Sequence, residues 1–243
     1  MTIDLHTPTC WQEVSAEQLH DVMELANQGL RREEGLLIML CKFAGIKMVI
    51  SKKAEEKKHD GVRQRFKDAE GHVFELENWQ VSDFCGRLAF LWDEDLPLDA
   101  NWPFAWNRYL LDTTFGDWFH ADALILGFSM SGNIEQLKGA MKDLGDPHPD
   151  LQPNSPDVVL MLKWYELFKE WLQEKYPLVL QKSDPTSGTA SSYDPIEARQ
   201  NIMLMLNDGK PQDNEAIERS NMHDVLAALQ HKIEEAQRAQ KLK

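Results

Sequence analysis

Residues 154–177 read NSPDVVLMLKWYELFKEWLQEKYP, and this stretch constrains the fold more than any other. Val158, Met161, Leu162, Tyr165, Phe168 and Leu172 recur at helical spacing, with Lys163, Glu166, Lys169, Glu170 and Glu174 on the other side. Ser155 is placed to act as N-cap. Pro156 follows where its missing N–H does no harm, and Tyr176-Pro177 closes the segment. Trp164 and Trp171 widen the apolar stripe beyond what a simple surface helix needs. The pattern describes packing and carries no catalytic set with it.

The remaining chain reads mostly as shorter helices. Residues 2–6 alternate enough for a short strand that Pro8 stops. Ser15 to Gln18 form a capping box opening a helix with Leu19, Val22, Met23, Leu25 and Ala26, ended by Gly29. A second helix follows from Arg32, burying Leu36, Leu37, Met39, Leu40 and Phe43 and stopping at Gly45; Gly35 inside it weakens the helical propensity by about 1 kcal/mol. The short connection makes the two antiparallel. Ile46, Met48 and Ile50 then alternate like a strand, and a β-hairpin near residues 62–76 turns around Gly71. Helical spacing returns over 81–92 with Phe84, Leu88, Leu91 and Trp92 on one side, followed by an apolar loop with two prolines. Thr114 and Asn133 are placed to cap the next two helices, the second ending at Gly145. The fold class expected is mainly α with a small β-hairpin or short sheet (α+β). A helix-rich main domain spans 1–180, a Ser/Thr/Gly/Pro-rich linker 181–194, and a C-terminal helical pair 195–243. The last helix carries Val225, Leu226, Leu229 and Ile233 in a stripe that either folds back on the main domain or pairs with another copy.

Composition narrows the function classes. The formal charge of −14 argues against a general nucleic-acid coat, which needs clustered Lys and Arg. One basic island runs from residue 47 to 67, with Lys52, Lys53, Lys57 and Lys58 at its centre; it reads as a solvated face or as a dock for an acidic partner or phosphate backbone. No apolar run is long enough to span a bilayer, and the first residues lack the pattern of a secretion signal, which points to the cytosol. Three widely spaced cysteines form no CxxC. Cys41 and Cys85 fall in apolar helical patterns as small buried hydrophobes, and Cys10 has no activating base nearby.

Candidate chemistry is sparse. His148 stands between Asp146 and Asp150, His120 lies on a tryptophan-bearing helix, and His223-Asp224 opens the last helix, where an acidic residue suits the dipole. No HExxH, EF-hand, GxSxG, P-loop or GxGxxG signature occurs, so neither a catalytic residue set nor a metal or cofactor site is expected from local motifs. The aromatics are more informative. Trp102, Phe104 and Trp106 sit in the proline-bearing loop, where they either pack beneath a neighbouring helix or are displayed to a partner.

Three stretches together carry a resemblance. They are Trp11 with Ser15, Glu17, Gln18 and Leu19; Thr114, Phe115, Gly116 and Trp118; and Trp164, Tyr165, Trp171 and Tyr176. In this order the chain resembles a group of phage and prophage proteins of Bacteroidota whose genes sit in the virion-morphogenesis region. The resemblance implies a non-enzymatic role like that of a tail assembly chaperone or accessory factor, bound to a phage structural protein such as a tail component in the host cytoplasm or on the virion. It carries over no catalytic residue and no cofactor. Two other classes stand beside it: a small-molecule enzyme or regulator with a site assembled from distant residues, and a nucleic-acid-contacting module using the basic 47–67 region.

Overall fold

A computed structural model of the 243-residue chain describes residues 5–26, 28–49, 63–104, 109–180, 195–207 and 210–241. Among the described residues the protein is 62% helical with one three-stranded antiparallel sheet, so the mainly α, α+β expectation holds. It divides into two compact units, residues 1–103 and 104–243.

In the first unit, Trp11 in a short 3-10 turn is buried and meets Phe90 edge-on at 5.4 Å. Leu5 and His6 belong to no strand, and the rest of the 2–6 segment lies outside the described residues. Helix α1 (Ala16–Ala26) begins with the expected reciprocal box: the Gln18 N–H donates to Ser15 Oγ at 3.2 Å, and the Ser15 N–H donates to Gln18 Oε1 at 2.9 Å. Helix α2 (Arg32–Phe43) buries Leu36, Met39 and Leu40, while Leu37 and Phe43 are only half-buried. The Gly35 that weakens this helix has a packing cause. A β-carbon there would stand 2.5 Å from Cζ3 of Trp92, so the indole occupies the space a side chain would need.

Strands β1 (Lys47–Met48), β2 (Arg63–Lys67) and β3 (Val73–Glu77) pair antiparallel in that order, with Met48 opposite Phe66 and Phe66 opposite Phe74. Gly71, with φ of 96°, turns the hairpin where expected. Phe66 and Leu76 point inward, and Arg63, Arg65, Lys67, Val73 and Glu75 point out, the period-2 division of a half-buried sheet. The strand expected from the 46, 48, 50 alternation is shorter than that spacing suggests. Ile46 is buried ahead of it, Met48 is exposed, and Ile50 lies outside the described residues.

Helix α3 (Asn78–Arg87) follows β3 directly, opened by a capping box between Glu77 and Gln80. The continuous helix expected to Trp92 is instead broken, and α4 (Phe90–Asp93) is a separate turn. In one helix Leu88 and Phe90 would face nearly opposite ways. The break lets both be buried and leaves Trp92 at the surface against Gly35, so the single apolar face drawn through Leu88, Leu91 and Trp92 is corrected. The loop after α4 is pinned by Asn101, whose Nδ2 donates to the carbonyls of Gln12 (3.0 Å) and Val14 (2.9 Å).

Among the described residues, the second unit consists of helices and turns and includes no strand. Helix α5 (Phe115–Ser131) is capped by Thr114, whose Oγ1 accepts from the Asp117 N–H at 3.1 Å; α6 (Ile134–Asp143) is capped by Asn133. The two helices approach closely where Gly127 faces Gln136, whose Nε2 would lie 2.7 Å from a β-carbon. Helix α7 (Pro156–Lys175) buries Val158, Leu160, Met161, Trp164, Tyr165, Phe168 and Leu172, with the Trp164 and Phe168 rings stacked at 5.2 Å. Ser155 occupies the N-cap position but its hydroxyl makes no capping bond, because it is turned into the protein.

Helices α8 (Pro195–Leu206), α9 (Asn214–Arg219) and α10 (Met222–Lys241) complete this unit. The expected C-terminal pair is therefore no separate appendage. Ser220 and Met222 exchange backbone hydrogen bonds with Phe115 (2.9 Å) and Thr113 (3.0 Å), and Val225, Leu226 and Leu229 are buried. The division of the chain falls between residues 103 and 104, inside the apolar loop, and the 181–194 linker lies outside the described residues. The stripe of α10 folds back within its own unit, leaving Ile233 half-buried at its margin.

Candidate partner-binding surfaces

In the first unit the exposed sheet face is the described part of the basic island. Arg63 reaches Glu77 at 3.4 Å and Arg65 reaches Glu75 at 3.4 Å, so the arginines are partly balanced across the strands. Lys47 and Lys67 are different: they stand directly opposite one another as a like-charged pair. Lys52, Lys53, Lys57 and Lys58 lie outside the described residues.

At the hairpin turn, Asp68, Glu70 and His72 offer ligand atoms within 4.8 Å of one another. Sequence reasoning missed this group, although the alternate D-x-E-x-H spacing through a turn was visible. The donors suit a divalent ion in type. The Asp68 carboxylate is nonetheless engaged by the turn itself, accepting from the His72 N–H at 2.8 Å, and His72 is largely exposed. Cys41 and Cys85 are half-buried rather than fully buried, and burial pushes both thiols above their ordinary range, the opposite of an activated nucleophile.

Of the loop aromatics, Trp102 is half-buried in the first unit with Nε1 donating to the Leu98 carbonyl at 3.0 Å. Phe104 belongs to the second unit and meets the His148 ring edge-on at 6.5 Å. Trp106 lies outside the described residues. Trp102 and Phe104 thus fall on either side of the unit boundary. Larger exposed apolar side chains sit elsewhere: Trp79 on α3 is 66% exposed and Met130 on α5 83%.

In the second unit each candidate histidine has its own partner. His120 Nδ1 lies 2.6 Å from Asp143, and His148 Nε2 lies 3.4 Å from Asp146. The third, His223, is nine-tenths buried between Tyr109 and Tyr176, which the dipole reading of its sequence position did not foresee. His120 also borders a cavity of about 520 Å³ with Asp117, Arg199, Glu218 and Arg219. Most of the charge there is already matched: Arg199 pairs with Glu218, Arg219 with Glu215, and Asp117 accepts from the Thr114 hydroxyl.

A more open groove of about 670 Å³ lies between α5 and α7. Ile125, Val159 and Leu162 form its apolar lining, and Lys163, Glu166, Lys169 and Glu170 stand along it at helical spacing. Lys169 is held there by the buried Asp122 carboxylate, which accepts from Lys169 Nζ at 2.8 Å and from the Tyr165 hydroxyl at 2.9 Å. Leu162 was assigned by periodicity to the buried stripe. It is only half-buried at the groove, which spacing along one helix does not report. No known protein family, curated protein or solved structure matches the chain. No helix among the described residues is long and apolar enough to cross a membrane.

Proposed function

We propose that this protein is a non-enzymatic assembly factor of phage type that holds a helical segment of another structural protein, such as a tail component, in the α5/α7 groove. The observation that carries this reading is the groove itself: an apolar lining of Ile125, Val159 and Leu162 beside alternating positive and negative side chains on α7. An amphipathic helix docks into such a surface through anchors at every third or fourth residue, with the flanking charges fixing its register. The net charge of −14 supports the same role by keeping a complex with an aggregation-prone partner dissolved in the host cytoplasm. Co-expression with phage tail-component genes and pull-down tests it. A helical partner is expected to be retained by the wild type and lost on Leu162→Lys with the circular-dichroism spectrum unchanged. Absence of any such partner, or retention by the variant, overturns the reading.

A second reading has its own observation. The cavity joining His120, Asp117, Glu218 and two arginines is polar enough for a small charged metabolite. Thermal shift against a metabolite and metal panel distinguishes it: stabilisation abolished by Arg199→Ala favours this reading over groove binding.

A further inference from the structure

Leu110 is the single non-glycine residue with positive φ among the described residues, at 49°, and its side chain is 1% exposed. A left-handed leucine is disfavoured and persists only where its surroundings over-determine it. Here the surroundings are three consecutive residues at the start of α10. Asn221 Nδ2 donates to the Leu111 carbonyl, the Met222 N–H donates to the Thr113 carbonyl at 3.0 Å, and His223 Nε2 lies 2.7 Å from the Tyr109 carbonyl.

A carbonyl only accepts, so Nε2 carries the ring proton. Nδ1 is then the acceptor for the Tyr176 hydroxyl at 3.1 Å, and the neutral ring satisfies both contacts. The groups facing it are the Tyr109 carbonyl, the Tyr176 phenol, the Trp171 indole at 5.7 Å, Lys175 on α7 and Asp224 on α10. Burial holds the imidazolium down; the Tyr109 carbonyl opposes this, Lys175 adds to it, and Asp224 opposes it. A second proton, on Nδ1, would leave the Nε2–Tyr109 bond in place but force Tyr176 to reverse its hydroxyl. The alternative acceptor for that hydroxyl, the His223 carbonyl, is a distant 3.4 Å away, and the new charge would sit buried beside a lysine. Opening is therefore driven by hydration of the charged ring and not by loss of the Tyr109 bond.

We propose that Tyr109, His223 and Tyr176 form an acid-operated latch that keeps the strained 109–113 turn closed while His223 is neutral and releases it on protonation. Release lets Leu110 leave the left-handed region, and the turn opens without unfolding of the α5/α6 pair.

Amide hydrogen exchange of the full chain at pH 7.5 and 5.0, corrected for intrinsic rates, tests this. Protection of the Thr113 and Met222 amides is expected to fall at least tenfold in acid while that of α6 is unchanged. His223→Gln, which keeps a donor for the Tyr109 carbonyl but does not titrate, is expected to remove the pH dependence. Tyr176→Phe, which takes the donor from neutral Nδ1, is expected to open the turn at higher pH and serves where the glutamine variant does not fold. Unchanged wild-type protection overturns the latch. So does an equal loss in His223→Gln, or a loss shared with α6.

Discussion

The Trp92 ring lies where a side chain on Gly35 would be, with its Cζ3 2.5 Å from the β-carbon position. Helix propensity alone favours alanine over glycine by about 1 kcal/mol in a helix interior. Overpacking works against it and typically costs about 1–3 kcal/mol. Gly35→Ala is therefore expected to destabilise the first unit by up to about 2 kcal/mol, and Gly35→Ala with Trp92→Ala is expected to recover part of that loss. Urea unfolding of both variants checks the sign; a stabilised single variant would show that the indole swings away freely.

Phe168 is fully buried and stacks between Trp164 at 5.2 Å and Trp171 at 6.0 Å. Truncation there leaves a void that these two rings and that of Tyr165, 6.2 Å away, fill poorly. Phe168→Ala is expected to cost about 3–5 kcal/mol in the second unit, while Leu162→Ala, at the half-exposed groove, costs clearly less. Chemical denaturation followed by tryptophan fluorescence separates the two.

The caps and the long helix were legible because their signals are local. Ser15 with Gln18, Thr114 with Asp117 and Asn133 with Glu135 each lie within three residues of their partner. The hairpin was legible for the same reason, from alternation around Gly71. The features that escaped are set by residues far apart in sequence. Trp92 is drawn to the surface by Gly35, the Ser155 hydroxyl is turned inward, and the C-terminal helices join α5 through contacts more than a hundred residues long-range, such as Thr114 with Asn221. The candidate surfaces were less visible still. Leu162 reads like any other stripe residue, and nothing in the spacing of His223 announces Tyr109.

Lys47 opposite Lys67 is an unfavourable pairing on an exposed sheet face. Lys47→Glu is expected to stabilise the sheet by about 0.2–1 kcal/mol and to weaken binding of any polyanion that uses this face. The salt dependence of DNA association, measured beside thermal stability, checks both. A variant that is neither more stable nor different in salt slope would leave the pair with no energetic role.

Acid should weaken the second unit through His223. Burial lowers its folded value below the ordinary 6.5, so as pH falls the unfolded chain takes up the proton first. The stabilising contribution is complete above about pH 6.5, declines as pH falls toward the folded value, and is gone below it. Unfolding free energy measured at pH 7.5, 6.5 and 5.5 is expected to fall more steeply for wild type than for His223→Gln. Parallel curves would remove this histidine from the acid response.

The bridge between Thr114 and Asn221 has a consequence for how the molecule is made. A ribosome must translate more than a hundred further residues after Thr114 before the segment that closes the second unit exists. Until then the nascent chain carries α5 without the α9 and α10 that pack against it, whereas everything that builds the hairpin and its flanking helices has already emerged.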